Sequence, residues 1–423
     1  MNNEAKPGIY RASEMSSDGN LPPMPPVPGE RAPRRASMPS MPSSNPQNSP
    51  PRTAGRLGVA TIEPEDFNLN ELLLYLNQVG GSDLHLTAGS PPMLRLHGSL
   101  EPIANHSKLQ TDSLARVLFS ILTQKQREQF EENLELDFSY SIPRQARYRV
   151  NIYRQRESVG AAFRLIPFEI KPLEELGIPA SVAQFAELPR GIVLVTGATG
   201  SGKSTTLAAL IDLANRTRAS HIMTVEDPIE FLHSHQKSIV NQREVGADTH
   251  SFGQALKHVL RQDPDIILVG ELRDLETISV ALTAAETGHL VFATLHTQDT
   301  AQTIDRIIDV FPAGQQAQVR TQLASSMQGV VAQTLCKTSD GQGRAVATEV
   351  MVATPGIRNL IREGKTHQIY SALQAGAQHG MQTMDQHLAS HVRRGQISYA
   401  EGLDRAHHVE DFNRLVGNGH RGT

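Results

Sequence analysis

The chain has 423 residues, enough for two or three domains, and its 39% hydrophobic and 20% charged residues are typical of a soluble globular protein. A formal net charge of −4 and the absence of tryptophan argue against nucleic-acid binding, so no direct nucleic-acid partner is expected. The single cysteine, Cys336, excludes an internal disulfide and a multi-cysteine metal site, and we expect it to be a small core residue.

Residues 1–60 are predicted to be a disordered extension. They contain 12 of the 25 prolines and too few apolar groups to offset the entropy of ordering. A spacer is the favoured interpretation, ahead of a proline-rich ligand for a partner. The first residues lack the apolar core of a signal peptide, and no run of about 18 apolar residues predicts a transmembrane segment. We therefore expect a cytoplasmic protein.

Residues 61–167 are predicted to form a small α+β domain. Four leucines between positions 69 and 76 have helical spacing and are followed by Gly80 and Gly81, which end the helix. The segment "TDSLARVLFSILTQKQREQFEEN" predicts one helix, with Thr111 as its N-cap. Strands are predicted at "DLHLT", "MLRLHGSLEPI", "LDFSYSI", "ARYRVNIYRQ" and "VGAAFRLIP".

Beyond a linker at 168–190, residues 191–354 are predicted to form an α/β core. "GIVLVTG", "HIMTVED", "DIILVGE" and "LVFATLH" are short apolar runs, as expected for parallel strands that are covered on both faces. Helical stretches separate them, which predicts repeated βαβ units. Residues 355–423 are predicted to be a helical region.

The segment "GATGSGKST" matches the phosphate-binding pattern G-x-x-x-x-G-K-[ST], between an apolar strand and a helix. Glycines let backbone N–H groups wrap a polyphosphate, and the helix N-terminus favours anions. Lys203 is predicted to reach the β- and γ-phosphates of ATP, and Ser204 to hold Mg²⁺. The predicted nucleotide-binding residues are Gly197, Ala198, Thr199, Gly200, Ser201, Gly202, Lys203, Ser204 and Thr205.

Acidic and histidine side chains follow the other predicted strands. Glu271 comes at the carboxyl end of an apolar strand, where it could hold Mg²⁺ through water. Glu226 and Glu230 follow a second strand, where they could position water or metal. His289 and His296 bracket a third strand and are candidates for sensing the γ-phosphate.

These segments occur in a recognisable order. "TVEDPIEF", "DIILVGELRDLETI" and "AETGHLVFATLHT" resemble the Asp box, Walker B segment and His box of secretion ATPases. Within that superfamily, "TPGIRNLIREGK" resembles the AIRNLIRE motif of the type IV pilus retraction ATPases. "GSDLHLTAGSPPMLRLHG" and "FRLIP" resemble the N-terminal domain of that family. The resemblance extends from about residue 67 to about residue 412.

The resemblance implies a hexameric ring of chains, each with a PAS-like N-terminal domain and a RecA-like P-loop ATPase domain. It implies that Glu230 positions water, with Glu226 in reserve, and that Glu271 is the Walker B glutamate. His289 and His296 correspond to the His-box histidines. Arg149 and Arg164 correspond to arginines that reach the phosphates from the N-terminal domain.

The resulting hypothesis is an Mg-ATP-driven motor for pilus retraction and twitching motility. Its expected partners are an inner-membrane platform protein and other pilus motor ATPases, with peripheral association at the membrane. Pilus assembly ATPases carry a four-cysteine zinc motif, which a chain with one cysteine cannot form. The family usually has alanine at the position of Gly356. Two alternatives stay open: a nucleotide-sensing regulator of another pilus motor, and a secretion or DNA-uptake ATPase of the same superfamily.

Overall fold

A computed structural model describes residues 67–96, 98–143, 145–166 and 169–417. The predicted extension at 1–60 lies outside these residues, and the predicted domain boundaries stay predictions. The described residues form a six-stranded sheet followed by a seven-stranded sheet, with helices packed on each. Within these ranges, no helix is both long enough and apolar enough to cross a bilayer.

The six-stranded sheet is antiparallel throughout, in the order β3-β2-β1-β6-β5-β4. Its core contains the leucines of the first helix, which the sequence predicted to share one face, and inward-facing residues of the strands. One of these is Tyr148, whose hydroxyl donates to the Leu73 carbonyl at 2.7 Å. The strands are β1 (Asp83–Thr87), β2 (Met93–Leu96), β3 (Ser99–Pro102), β4 (Glu135–Ile142), β5 (Ala146–Gln155) and β6 (Ser158–Ile166). The helices are α1 (Leu69–Gln78), α2 (Thr111–Ser120) and α3 (Gln124–Asn133).

The prediction of one long helix after residue 110 is wrong, because the chain forms the two helices α2 and α3. Thr123 interrupts the helix with a capping box: its hydroxyl accepts from the Gln126 N–H at 3.3 Å, and the Gln126 side chain accepts from the Thr123 N–H at 2.9 Å. Thr111 is the first helical residue, and Gln110 occupies the N-cap position assigned to Thr111.

The seven-stranded sheet has the order β13-β12-β7-β11-β10-β8-β9 and is parallel except for its edge strand β13. Every residue of β7, β10 and β11 is buried, as their uninterrupted apolar sequences predict. The strands are β7 (Gly191–Thr196), β8 (His221–Glu226), β9 (Ile239–Glu244), β10 (Ile266–Val269), β11 (Leu290–Leu295), β12 (Met327–Lys337) and β13 (Arg344–Val352). Because the parallel strands point the same way, the residues that follow β7, β8, β10 and β11 lie together at the carboxyl ends of the strands.

Eleven helices of the described residues accompany this sheet. They are α4 (Ala180–Ala183), α5 (Lys203–Thr217), α6 (Phe252–Val259), α7 (Leu275–Glu286), α8 (Thr300–Asp309), α9 (Ala313–Ser326), α10 (Pro355–Arg362), α11 (Ile369–Ala375), α12 (Met384–Arg393), α13 (Tyr399–Arg405) and α14 (Val409–Val416). Gly356 lies in the first turn of α10, after the Thr354 N-cap and Pro355. At a helix start glycine carries little of its interior penalty, so it does not weaken α10 appreciably.

The C-terminal helices pack on β12 and β13 around an apolar cluster that contains Cys336. The cysteine is buried, as expected, and burial raises the pKa of its thiol to about 11. Beside this cluster the His387 ring stacks on His391 at 4.4 Å between centroids, and its Nδ1 accepts the Thr348 N–H at 2.9 Å. Burial lowers the pKa of His387 to about 4.

The lowered pKa of the partly buried His387 predicts that the protein loses stability in acid. The ordinary pKa of histidine is about 6.5, so below that pH the unfolded chain binds a proton that the folded chain excludes. The stabilisation is complete above about pH 6.5 and is lost, at up to about 1.4 kcal/mol per pH unit, as the pH falls towards 4.

We expect His387→Asn, which keeps an acceptor for the Thr348 N–H, to flatten the decline of melting temperature between pH 7 and 4.5. Replacing the exposed His379 by asparagine is the matched control and should leave the slope of the wild type. Equal slopes for His387→Asn and the wild type would contradict this assignment.

Candidate active site

The phosphate-binding loop connects β7 to α5, as predicted. A Cβ atom on Gly197 would lie 2.3 Å from the Gln333 carbonyl oxygen and 2.6 Å from Ser201 Oγ, so only glycine fits there. Gly202 has φ of +89°, in the left-handed region that disfavours side chains, and directly precedes α5. The loop therefore presents bare backbone at a helix N-terminus, the arrangement that binds phosphate groups.

Lys203 is a buried residue that folds over this loop. Its Nζ donates to the carbonyl oxygens of Gly197 at 2.9 Å and Ala198 at 3.1 Å. Burial lowers the pKa of the Lys203 ammonium, and the negative charges of Glu271 and Glu230 act in the opposite direction. The lysine is thus placed between the loop and two of the predicted catalytic carboxylates.

Glu271 and His296 meet at the carboxyl ends of β10 and β11. His296 Nε2 lies 3.1 Å from Glu271 Oε1, and Arg273 Nη2 lies 2.8 Å from Glu271 Oε2. Burial acts to raise the pKa of Glu271, but the hydrogen bond and charge of Arg273, together with His296, outweigh it and hold the pKa below its ordinary value. The carboxylate is therefore ionised at neutral pH.

The two glutamates after β8 lie in different environments. Glu226 is buried and accepts hydrogen bonds from Thr224 Oγ1 at 2.6 Å and Gln242 Nε2 at 3.1 Å. Burial raises the pKa of Glu226, although these hydrogen bonds favour its charged form. Glu230 is exposed and lies at the cavity beside the loop. Both glutamates border the cavity, but Glu230 is exposed there, whereas Glu226 is largely covered by protein.

Only one of the two predicted arginines reaches this site within the chain. Arg164 on β6 lines the cavity and its Nε contacts Asp83 Oδ1 at 2.9 Å. Arg149 on β5 is the register partner of Arg164, but it lies next to Asp137 at 3.9 Å and does not line the cavity.

The structure does not bring His289 to the site. The residue directly precedes β11, so it lies at the amino end of the strand, opposite the edge that carries His296. Its Nδ1 lies 3.0 Å from the Ala284 carbonyl oxygen at the end of α7. The expectation that both histidines face the phosphates therefore needs correction for His289, because a six-residue strand separates the two positions.

The phosphate-binding loop and the side chains at the carboxyl ends of β8, β10 and β11 surround a cavity of about 610 Å³. Of the predicted residues, it is lined by Thr199, Gly200, Gly202, Lys203, Ser204, Thr205, Glu226, Glu230, Glu271, His296 and Arg164. The Ser204 hydroxyl and the Glu271 carboxylate share this cavity with Lys203. One hydroxyl and one or two carboxylates, completed by phosphate oxygens, are a donor set that suits Mg²⁺.

Several lining residues were not singled out from the sequence, among them Arg273, Leu335 and Arg344. Arg273 forms an ion pair with Glu271 and follows it by two positions in "GELRD". Its closeness to Glu271 in the sequence could therefore have indicated that it lies at the site. Leu335 and Arg344 come from the β12–β13 hairpin, more than 130 residues after the loop. Nothing near them in the sequence indicates the cavity, because the pairing of β12 with β7 brings them there.

The fold and this constellation define a P-loop nucleotide-binding protein with a RecA-like core. Residues 169–405 match the family model described as type II/IV secretion system protein. The chain belongs to that family.

The similar proteins agree with this assignment. The chain is 52% identical over 346 residues to the "Type IV pilus retractation ATPase PilT" of Pseudomonas aeruginosa, covering 82% of this chain and 100% of that protein. It is 51% identical over 321 residues to the "Twitching motility protein" of Neisseria gonorrhoeae, covering 76% and 86%. A crystal structure of the pilus retraction motor PilT with bound ADP superposes with a TM-score of 0.78 at 44% identity, covering 82% of this chain and all of that one.

Proposed function

We propose that this protein hydrolyses Mg-ATP to drive retraction of type IV pili. The observation that carries the proposal is the convergence of Lys203, Glu271, Glu230 and His296 on one cavity beside the P-loop. The high identity to a pilus retraction ATPase over that relative's whole length supports the biological role.

Each residue has a chemical task in this proposal. The loop N–H groups and Lys203 bind the β- and γ-phosphates, and Lys203 exchanges its carbonyl contacts for phosphate oxygens. Ser204 and Glu271 would hold Mg²⁺, which would supply positive charge to the phosphates when it is bound. Glu230 orients the attacking water, and His296 contacts the γ-phosphate end of the site.

Arginines supply the remaining positive charge. Arg164 reaches the cavity within the chain, and its guanidinium would stabilise the charge that develops on the transferred phosphoryl group. Arg149 lies on the same sheet face, directly beside Arg164, and would act on a site that the neighbouring chain completes.

The mechanical output requires a ring. We infer a homo-hexamer in which hydrolysis changes the angle between the six-stranded and seven-stranded sheets. Rotations passed around the ring would turn an inner-membrane platform protein and return pilin subunits to the membrane. The protein would thus act from the cytoplasm, peripherally bound at the membrane, alongside other pilus motor ATPases.

Deleting the gene tests this role in cells. We expect hyperpiliated cells that do not twitch, and restoration of motility by the wild-type gene but not by one that encodes Lys203→Ala. Normal pili with a loss of secretion would instead indicate a secretion ATPase. Negligible ATPase turnover by purified hexamers would favour a nucleotide-sensing regulator.

A further inference from the structure

The loop of residues 227–233, which carries Glu230, is held in place by the neighbouring strand β9. Gln242 Nε2 donates to the Phe231 carbonyl at 2.8 Å, and Gln242 Oε1 accepts the His233 N–H at 2.8 Å. The Ile229 N–H donates to Glu244 Oε2 at 3.0 Å. The backbone directly before Glu230 thus depends on the Glu244 carboxylate.

The same carboxylate is bound from the six-stranded sheet. Arg147 Nη2 on β5 lies 2.8 Å from Glu244 Oε2. Ser139 Oγ on β4 donates to Glu244 Oε1 at 3.0 Å and contacts Oε2 at 3.3 Å. Glu244 is only 7% exposed, so water does not replace these partners. One buried carboxylate therefore links the first sheet to the Glu230 loop.

We propose that Glu244 is a positioning residue that makes the catalytic placement of Glu230 depend on the contact between the two sheets. This inference rests on the proposed role of Glu230 in orienting water. While Arg147 and Ser139 contact Glu244, the carboxylate keeps its orientation towards the Ile229 N–H. When the first sheet rotates away, the buried anion loses its countercharge and must reorient, which releases the loop.

The linkage explains how a rigid-body rotation would control chemistry at a distance. Glu244 does not line the nucleotide cavity, so it does not touch the phosphates. Its effect should therefore fall on kcat and not on nucleotide affinity. Arg164 differs, since it reaches the cavity itself.

The test uses the full-length protein with Glu244→Ala, Glu244→Gln and Arg147→Gln. We expect Glu244→Ala and Arg147→Gln to lower the ATPase kcat by about 10- to 100-fold, with KM and ATP affinity changed less than about threefold. Glu244→Gln keeps an acceptor for the Ile229 N–H and should lose less than Glu244→Ala. Arg154→Gln, on the same strand but remote from Glu244, is the matched control and should retain wild-type kcat.

A double-mutant cycle separates positioning from general damage. In a Glu230→Gln background, single-turnover rates should fall no further when Glu244→Ala is added, because the residue acts through Glu230. If Glu244→Ala lowered the single-turnover rate by the same factor in the Glu230→Gln background as in the wild type, the proposal would be overturned. Wild-type kcat in both Glu244→Ala and Arg147→Gln would also overturn it. If Glu244→Ala fails to fold, Arg147→Gln completes the cycle from the other side of the contact.

Failure of this inference differs from failure of the proposed function. Full turnover by Glu230→Gln would remove the catalytic assignment of Glu230 and the positioning role together. An inactive Glu230→Gln with unchanged kcat in Arg147→Gln and Glu244→Ala would overturn the positioning role alone.

Discussion

Replacing Lys203 by alanine is expected to lower the ATPase kcat by at least about 100-fold. The Lys203 ammonium lies over the phosphate-binding loop, within hydrogen-bonding distance of two loop carbonyls. The negative charges of Glu271 and Glu230 are close enough to act on its pKa. In a low-dielectric cavity, a positive charge aimed at the γ-phosphate stabilises the transition state far more than it would in water. Steady-state phosphate release measures the loss, and calorimetry with ATP reports the accompanying fall in affinity.

Lys257→Ala provides the control for loss of a lysine elsewhere. Lys257 is ion-paired with Glu276 on α7 and does not line the cavity, so its variant should hydrolyse ATP at the wild-type rate. Full activity in Lys203→Ala would remove the assignment of the phosphate site. A wild-type protein that binds no adenine nucleotide would refute the ATPase function as a whole.

Local sequence patterns were enough to predict the P-loop between a strand and a helix and most strands of the sheet that carries it. The run Ile192–Val195 is apolar without interruption because both faces of β7 are covered, and the glycines after it are needed where a side chain would collide with Gln333. Glu271 and His296 follow strands of the same kind, so their position at one edge could be predicted from the parallel topology alone.

Contacts between distant segments could not be predicted in this way. Arg149 and Arg164 are neighbours across β5 and β6, yet only Arg164 faces the cavity. The link from Arg147 to Glu244 joins residues 97 positions apart and has no local signature.

The two glutamates after β8 differ in exposure, and this difference bears on which of them would position the attacking water. Glu226 has its carboxyl bound by Thr224 and Gln242, and its burial raises the pKa. Glu230 is exposed at the cavity and close enough to Lys203 to influence the pKa of that ammonium. Both glutamates border the cavity, but the exposed Glu230 leaves more room for a bound water, so we expect Glu230 rather than Glu226 to orient it.

Glu230→Gln is therefore expected to lower kcat by about 10²- to 10⁴-fold while ATP affinity changes only a few-fold. Glu226→Gln keeps an oxygen that can accept from both Thr224 Oγ1 and Gln242 Nε2, and its kcat should fall less than about tenfold. Single-turnover hydrolysis, with nucleotide affinity measured separately, compares the two variants directly. A larger kcat loss for Glu226→Gln than for Glu230→Gln would reverse the assignment, because the enclosed carboxyl would then be the group that governs the attacking water.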